Sequence, residues 1–213
     1  LIQVESFTLG YVMTNCYLLY RKQGGEGIVI DPGTEPDALL KRIAELQLSV
    51  KEILLTHAHF DHIGGVEAVR EATGASVTIH QAETEWLTDS RLNGSGMFPG
   101  IPEISCQPAD KVLHGGETIS VLGEKVKVAH TPGHSPGSLS FIFPQMVFSG
   151  DVLFAGSIGR TDLPGGDHQT LMRSIHDTIM ELPEETIVYS GHGPVTTIGR
   201  EQESNPFVTG MIG

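Results

Sequence analysis

Short apolar runs that stop abruptly, turn, and then present a histidine or an aspartate recur along this chain, and nothing else in it constrains the fold so strongly. Leu54–Leu55 leads into THAHFDH, and the strand-like KVKVAH leads into TPGH. MVFSG leads into Asp151, and TIVYSG into His192. A chain written this way places its strands in a core and its chemistry at the strand ends. There, loops can carry side chains on a rigid scaffold and converge at one rim.

The segment LLTHAHFDHIGG is the densest. His57 and His59 flank Ala58, so an extended backbone puts both imidazoles on one side. Asp61 and His62 follow at the start of a helix. His134, Asp151 and His192 each come from another strand end. Imidazole and carboxylate suit zinc and iron, and no cysteine lies near these turns, so a closed thiolate site is excluded. Five histidines and two aspartates exceed what one tetrahedral ion takes and suffice for two. The expected division gives His57, His59 and His134 to one ion and Asp61, His62 and His192 to the other. Asp151 would bridge them. Asp61 and Asp151 are the candidate catalytic carboxylates, and the positions left open would hold a shared water. The expected cofactors are two divalent metal ions, zinc first, with iron or manganese fitting the same donors.

Charge narrows the partners. Thirteen Lys and Arg stand against 26 Asp and Glu, a formal charge of −13. Such a chain is repelled by phosphate backbones, so no nucleic-acid partner is expected. No apolar run approaches a membrane span, and no basic-plus-apolar leader opens the chain. Cys16 and Cys106 are the only two cysteines, too few for a disulfide framework, which suggests a reducing, cytoplasmic setting.

With no repeat or low-complexity linker, residues 1–213 read as a single domain. Strands are expected at Ile2–Leu9, Cys16–Arg21, Gly27–Ile30, Glu52–Leu55 and Ser76–His80. Later strands are expected at Lys111–Leu113, Thr118–Val121, Lys125–His130, Ser138–Phe143, Met146–Ser149 and Thr186–Ser190. Helices are expected over Pro36–Leu48, Ile63–Thr73, Ala82–Leu87 and His168–Glu181, the last capped by Asp167. Arg91–Gln107 has no periodicity, and a loop of that length is usually a lid or mobile.

HAHFDH, TPGHSPGS, FSGDVLF and SGHGP, in this order, resemble the successive motifs of the metallo-β-lactamase superfamily. IVIDPG resembles the strand and turn that precede its metal motif. The resemblance runs from about Val12 to His192. It implies an α/β fold, a four-layer αββα sandwich of two mixed sheets flanked by helices, with the site at one edge. An aspartate at 151 implies the hydrolase branch with a bridging carboxylate, a pattern from which most zinc β-lactamases depart. GDVLFAGSIGRTDLPGGDHQTLMRSI, with GHGPVTTIGREQESNPF, resembles compact bacterial relatives of glyoxalase II, the hydroxyacylglutathione hydrolases. Larger glyoxalase II enzymes add a C-terminal helical region. Only about twenty residues follow His192 here, so a type lacking that region is expected.

The expected activity is hydrolysis of a small thioester by a hydroxide bridging two metals. A thiolate, with a conjugate acid pKa of roughly 8.5, leaves without a dedicated proton donor. One alternative is a persulfide dioxygenase, a family that shares HxHxDH and a GRTD-like segment but binds a single iron. The other is a non-catalytic metal-binding module on the same fold. Asp31 either backs a ligand histidine or only caps its Asp-Pro-Gly turn. Arg160 is read as holding its loop, with Asp162 as partner, rather than meeting a substrate carboxylate. Met97 and Phe98 are read as loop packing and Tyr189 as core. His80, His114, His130, His168 and His176 fall in no ligand pattern.

Overall fold

A computed structural model describes residues 1–212 of the chain. The chain forms two compact units: residues 1–113 with 121–123, and residues 114–120 with 124–212.

The first unit is built on a six-stranded mixed sheet. Its strands β1 (Gln3–Leu9), β2 (Thr14–Tyr20), β3 (Glu26–Ile30), β4 (Ser49–Leu54), β5 (Ser76–His80) and β6 (Lys111–Leu113) lie side by side in chain order. The first two pairings are antiparallel hairpins, and β3 to β6 run parallel. Parallel neighbours need crossovers. These are supplied by α1 (Asp37–Glu45), and by α2 (Phe60–Ile63) with α3 (Val66–Thr73). Leu39, Ile43, Val66 and Val69 turn inward from α1 and α3 onto Leu18, Val29, Ile53 and Val77 of the sheet. Each such fully buried aliphatic side chain contributes roughly 1.5–3 kcal/mol. β2 is buried along its whole length, so both faces of the sheet are covered there.

The second unit repeats the plan with a different connectivity. Its strands are β7 (Thr118–Val121), β8 (Glu124–His130), β9 (Leu139–Ile142), β10 (Met146–Gly150), β13 (Ile187–Ser190) and β14 (Thr196–Thr197). They lie in the order β14-β13-β10-β9-β8-β7, with Val121 of β7 grouped with the first unit. β10 and β13 run parallel, while β9 with β10, β13 with β14 and β8 with β9 are antiparallel. A two-stranded ribbon, β11 (Leu153–Phe154) with β12 (Ser157–Ile158), follows β10. Helices α4 (His168–Ser174) and α5 (Ile198–Ser204) bury Leu171 and Ile198 against Val147 and Val188. Among the described residues, no helix is long and apolar enough to cross a membrane.

Most expected elements form, and the departures have local causes. The helix expected over Ile63–Thr73 is broken at Gly64–Gly65. Gly65 donates its N–H to Pro32 O (2.8 Å), and a Cβ there would lie 2.3 Å from Gly33 O. Backbone packs on backbone at that point, so the helix restarts at Val66. The helix expected over His168–Glu181 is capped by Asp167, whose side chain accepts from Thr170 N, but it widens into a π turn over Ile175–Ile179. β11, β12, β14 and α5 were not anticipated. Two-residue strands have no period to read, and α5 (IGREQES) shows no apolar stripe.

Glycine is required where the TPGH turn meets α4. Gly133 has φ +133°, and a Cβ there would sit 2.2 Å from Leu171 N. Gly133→Ala should therefore cost roughly 3 kcal/mol of unfolding free energy or more. Gly24 also has positive φ but nothing within 4 Å of a built Cβ, so Gly24→Ala should cost only about 1 kcal/mol. Urea unfolding of both variants checks the contrast, and equal losses would contradict the steric account.

Candidate metal centre

Parallel strand pairing explains how scattered residues become neighbours. In the first unit Ile30 of β3 pairs with Leu54 of β4, and Asp31 N donates to Leu54 O (3.2 Å). The chain beyond both strands therefore leaves the same edge. In the second unit Gly150 of β10 pairs with Ser190 of β13, and Gly191 N donates to Gly150 O (2.8 Å). Asp151 and His192 emerge side by side from that edge. Gly150 and Gly193 have positive φ (+53° and +79°), the tight turns that follow each strand.

In the first unit His57, His59, Asp61 and His62 are all buried. The ring centroids of His57 and His59 are 4.8 Å apart, and those of His57 and His62 are 4.1 Å apart. Asp31 lies against them. Its Oδ1 accepts from Thr56 N (2.8 Å), and its Oδ2 from Thr56 Oγ1 (2.6 Å) and His62 Nδ1 (2.9 Å). One ligand-type atom each from Asp31, His57 and His62 lie within 4.8 Å of one another. Asp31 thus touches His62 directly, and it holds this position at φ +51°, a left-handed backbone that aspartate tolerates.

These contacts assign tautomers. A hydroxyl has one hydrogen, and that of Thr56 points to the Asp31 carboxylate. Thr56 Oγ1, 3.0 Å from His57 Nδ1, therefore accepts from the ring. His62 Nδ1 likewise donates to Asp31. In both rings Nε2 is then the nitrogen with the lone pair. In the second unit His134 Nδ1 lies 2.8 Å from the carbonyl of Arg160, which can only accept. His134 Nε2 is the basic nitrogen by the same logic.

Imidazole Nε2 atoms approach carboxylate oxygens at a telling distance. His62 Nε2 is 3.3 Å from Asp61 Oδ2. His134 Nε2 and His192 Nε2 are each 3.4 Å from Asp151 Oδ2. Two atoms bound to one tetrahedral ion at about 2.0–2.1 Å are separated by roughly 3.3–3.4 Å. Two acceptors brought this close in a buried place repel unless a cation lies between them. The donor set therefore fits divalent metal within each unit.

Side chains that the motifs did not reveal complete the support. Thr14 Oγ1 donates to Asp61 Oδ2 (2.8 Å). Glu83 is fully buried, and its Oε2 accepts from Ala58 N (2.6 Å), the peptide between His57 and His59. Neither residue stands in a recognisable pattern. A buried glutamate in a short 3₁₀ segment after a strand offers no sequence signal beyond its charge. Arg160 acts through its carbonyl, which sequence cannot show. Its guanidinium pairs with Asp162 at 2.6 and 2.8 Å. That hydrogen-bonded pairing holds the Asp162 carboxyl down at about 2. Gly159 lets this loop approach, since a Cβ there would lie 1.8 Å from Asp151 O.

The remaining candidates have ordinary partners. His130 Nε2 donates to Pro136 O (2.8 Å), and His80 Nδ1 accepts from Ala82 N. Tyr189 stacks on Phe148 with ring centroids 4.9 Å apart. Phe98 packs on Phe60 at 6.0 Å, while Met97 is exposed. The Arg91–Gln107 stretch is tied down rather than loose. The buried Asn93 donates to Trp86 O (3.0 Å) and Ile104 O (2.8 Å), and its own carbonyl accepts from Phe60 N (2.9 Å).

Mixed sheets flanked by helices, with imidazoles and carboxylates at the strand ends, define a metallohydrolase fold. The chain belongs to the metallo-β-lactamase superfamily, whose sequence model matches residues 9–192. It is 46% identical to the probable metallo-hydrolase YqgX of Bacillus subtilis, over 95% of this chain and 96% of that protein. It is 37% identical to the hydroxyacylglutathione hydrolase GloC of Haemophilus influenzae, over 97% and 98%. Among solved structures, BLEG-1, described as a B3 metallo-β-lactamase, superposes with TM-score 0.93 at 48% identity, over 97% of this chain and all of that one. TTHA1623, solved in a di-iron-bound form, superposes with TM-score 0.79 at 41% identity, over 96% and 100%. Two mixed sheets flanked by helices thereby match the metallo-β-lactamase fold.

Asp31→Ala removes the acceptor that orients His62 and leaves Thr56 without its carboxylate. Metal affinity, measured by chelator competition, should fall by about 10–100-fold. Unchanged affinity would show that Asp31 serves its turn alone.

Proposed function

We propose that this chain is a dinuclear metallohydrolase that cleaves small thioesters. In this reading, His57, His59, Asp61 and His62 act with His134, Asp151 and His192 as one catalytic domain over residues 1–213. His57, His59 and His134 would hold one ion. Asp61, His62 and His192 would hold the other, and Asp151 would serve both. The observation that carries the reading is the fixed tautomer of His134, whose basic Nε2 stands 3.4 Å from Asp151 Oδ2 with Nδ1 committed to Arg160 O. Such a pair is built for a cation.

Two divalent ions bound there supply a Lewis acid and an activated water at neutral pH. Zinc fits the donors first, and the di-iron-bound relative supports iron. Asp61 and Asp151 bring two negative charges against four positive, so the residues leave the centre net cationic and suited to an oxyanion. Asp31 and Arg160 O hold the His62 and His134 rings in the metal-binding tautomer. No further acid in the motif set stands ready to protonate a leaving group, which favours a thiolate over an amine. The near full-length similarity to a hydroxyacylglutathione hydrolase supports the same substrate class. A reducing, cytoplasmic setting accompanies it, since Cys16 and Cys106 are both free and buried.

A second reading, β-lactam hydrolysis, is favoured by the 48% identity to BLEG-1. Metal analysis of protein purified without chelators, run beside acyl-glutathione and β-lactam assays, separates them. We expect two ions per chain, thioester turnover, and much slower β-lactam cleavage. His134→Ala and Asp151→Ala should each lower kcat/KM on the order of a thousandfold. One bound iron with oxygen uptake on a persulfide, or metal without any turnover, would refute the proposal.

A further inference from the structure

The first unit contains a cavity of about 270 Å³ with Asp61 in its wall. Leu9, Val12, Phe60, Ile101 and Ile104 supply most of the rest, and Glu35 is the other charged residue there. Among the described residues, neither lysine nor arginine lines it. At about 30 Å³ per water-sized group, the space suits roughly nine heavy atoms.

The cavity is preformed. Its outer wall comes from the aperiodic Arg91–Gln107 stretch, and that wall is pinned. Ile104 N donates to Ser95 Oγ (2.8 Å), Ile104 O accepts from Asn93, and Ile101 N donates to Phe98 O (3.2 Å). Phe60 belongs to α2, the same short helix that carries Asp61 and His62. Chain atoms bound here lie next to a proposed metal ligand without any loop having to order first.

We propose that this cavity recognises an uncharged, apolar chain on the substrate and discriminates against substrates whose far end carries carboxylates. The inference rests on the thioester reading for its chemistry. A carboxylate at the chain's far end would meet Glu35, which the proposed ions do not use, whereas a methylene chain meets aliphatic and aromatic carbon. The chain could belong to the acyl group or to the thiol.

Two experiments test this. In the first, ¹³C-methyl NMR of the zinc-loaded protein follows titration with 2-heptanone, a thioester-like ketone that cannot be hydrolysed, and with 6-oxoheptanoate, its carboxylate-tipped counterpart. The ketone should shift the methyls of Leu9, Val12, Ile101 and Ile104. The carboxylate analogue should bind at least about tenfold more weakly. Ile101→Trp, which fills the cavity from a partly exposed loop position, should weaken ketone binding about tenfold while leaving thermal unfolding near wild type. Shifts elsewhere, or equal binding of both probes, would overturn the inference.

The second experiment compares acyl thioesters of N-acetylcysteamine from acetyl to octanoyl with acetyl thioesters of ethanethiol to octanethiol. In one series kcat/KM should rise about fourfold per methylene until the cavity is full, and the rising series identifies which side binds. Turnover that is flat in both series overturns the inference and leaves the thioesterase reading intact. Absence of turnover on every thioester overturns that reading, and the ketone titration still decides the cavity.

Discussion

A single buried carboxylate organises the first unit. Asp31 ends β3, accepts from Thr56 beyond β4, and accepts from His62 in α2. The end of β3 is thereby locked to the turn after β4 and to α2, 25 and 31 residues further along the chain. Burying a charge without such partners costs several kcal/mol, and supplying them turns that cost into a geometric constraint. The constraint is what leaves the lone pair of His57 and His62 on Nε2. The left-handed backbone at Asp31 and the backbone contact between Gly65 and Gly33 are tolerated because this network over-determines the turn.

The second unit solves the same problem with backbone. His134 is oriented by the carbonyl of Arg160, and Asp151 and His192 are aligned by the parallel pairing of β10 with β13. A carbonyl cannot titrate or be replaced by substitution, so the orientation of His134 depends on the loop after β12 keeping its path. Gly159 under Asp151 and the Arg160–Asp162 pair hold that path. The GRTD segment, whose arginine invites a substrate-binding reading, serves chiefly as a brace.

What was legible in the sequence follows from this difference. HAHFDH, TPGH, SGD and SGH announce themselves because candidate ligand side chains sit at strand ends, and apolar strands before turns are visible as pattern. The paired sheets were legible for the same reason. Thr14, Glu83 and the Arg160 carbonyl were not. They act through one hydrogen bond each, on residues distant in sequence, and no periodicity marks them. The break at Gly64–Gly65 and the π turn after Ser174 were hidden as well, because both answer to packing rather than to propensity. Arg91–Gln107 misled in the opposite way. Its lack of period suggests a mobile lid, yet Asn93 and Ser95 knit it through backbone groups that any aperiodic segment possesses.

The two cysteines suit the proposed thioesterase reading. Burial pushes the Cys16 thiol well above its ordinary value, with the Asp31 charge adding to the effect, and holds Cys106 up at about 12. Thiol–disulfide exchange needs a thiolate and access to it. Neither cysteine offers them, so a thiol released in the proposed reaction would meet no cysteine here with which to form a mixed disulfide. Cys16 is also packed in the core against the strands that carry the Asp31 network. The same desolvation that keeps its proton in place keeps water away from the carboxylate, and the inertness of one group follows from the dryness that makes the other effective.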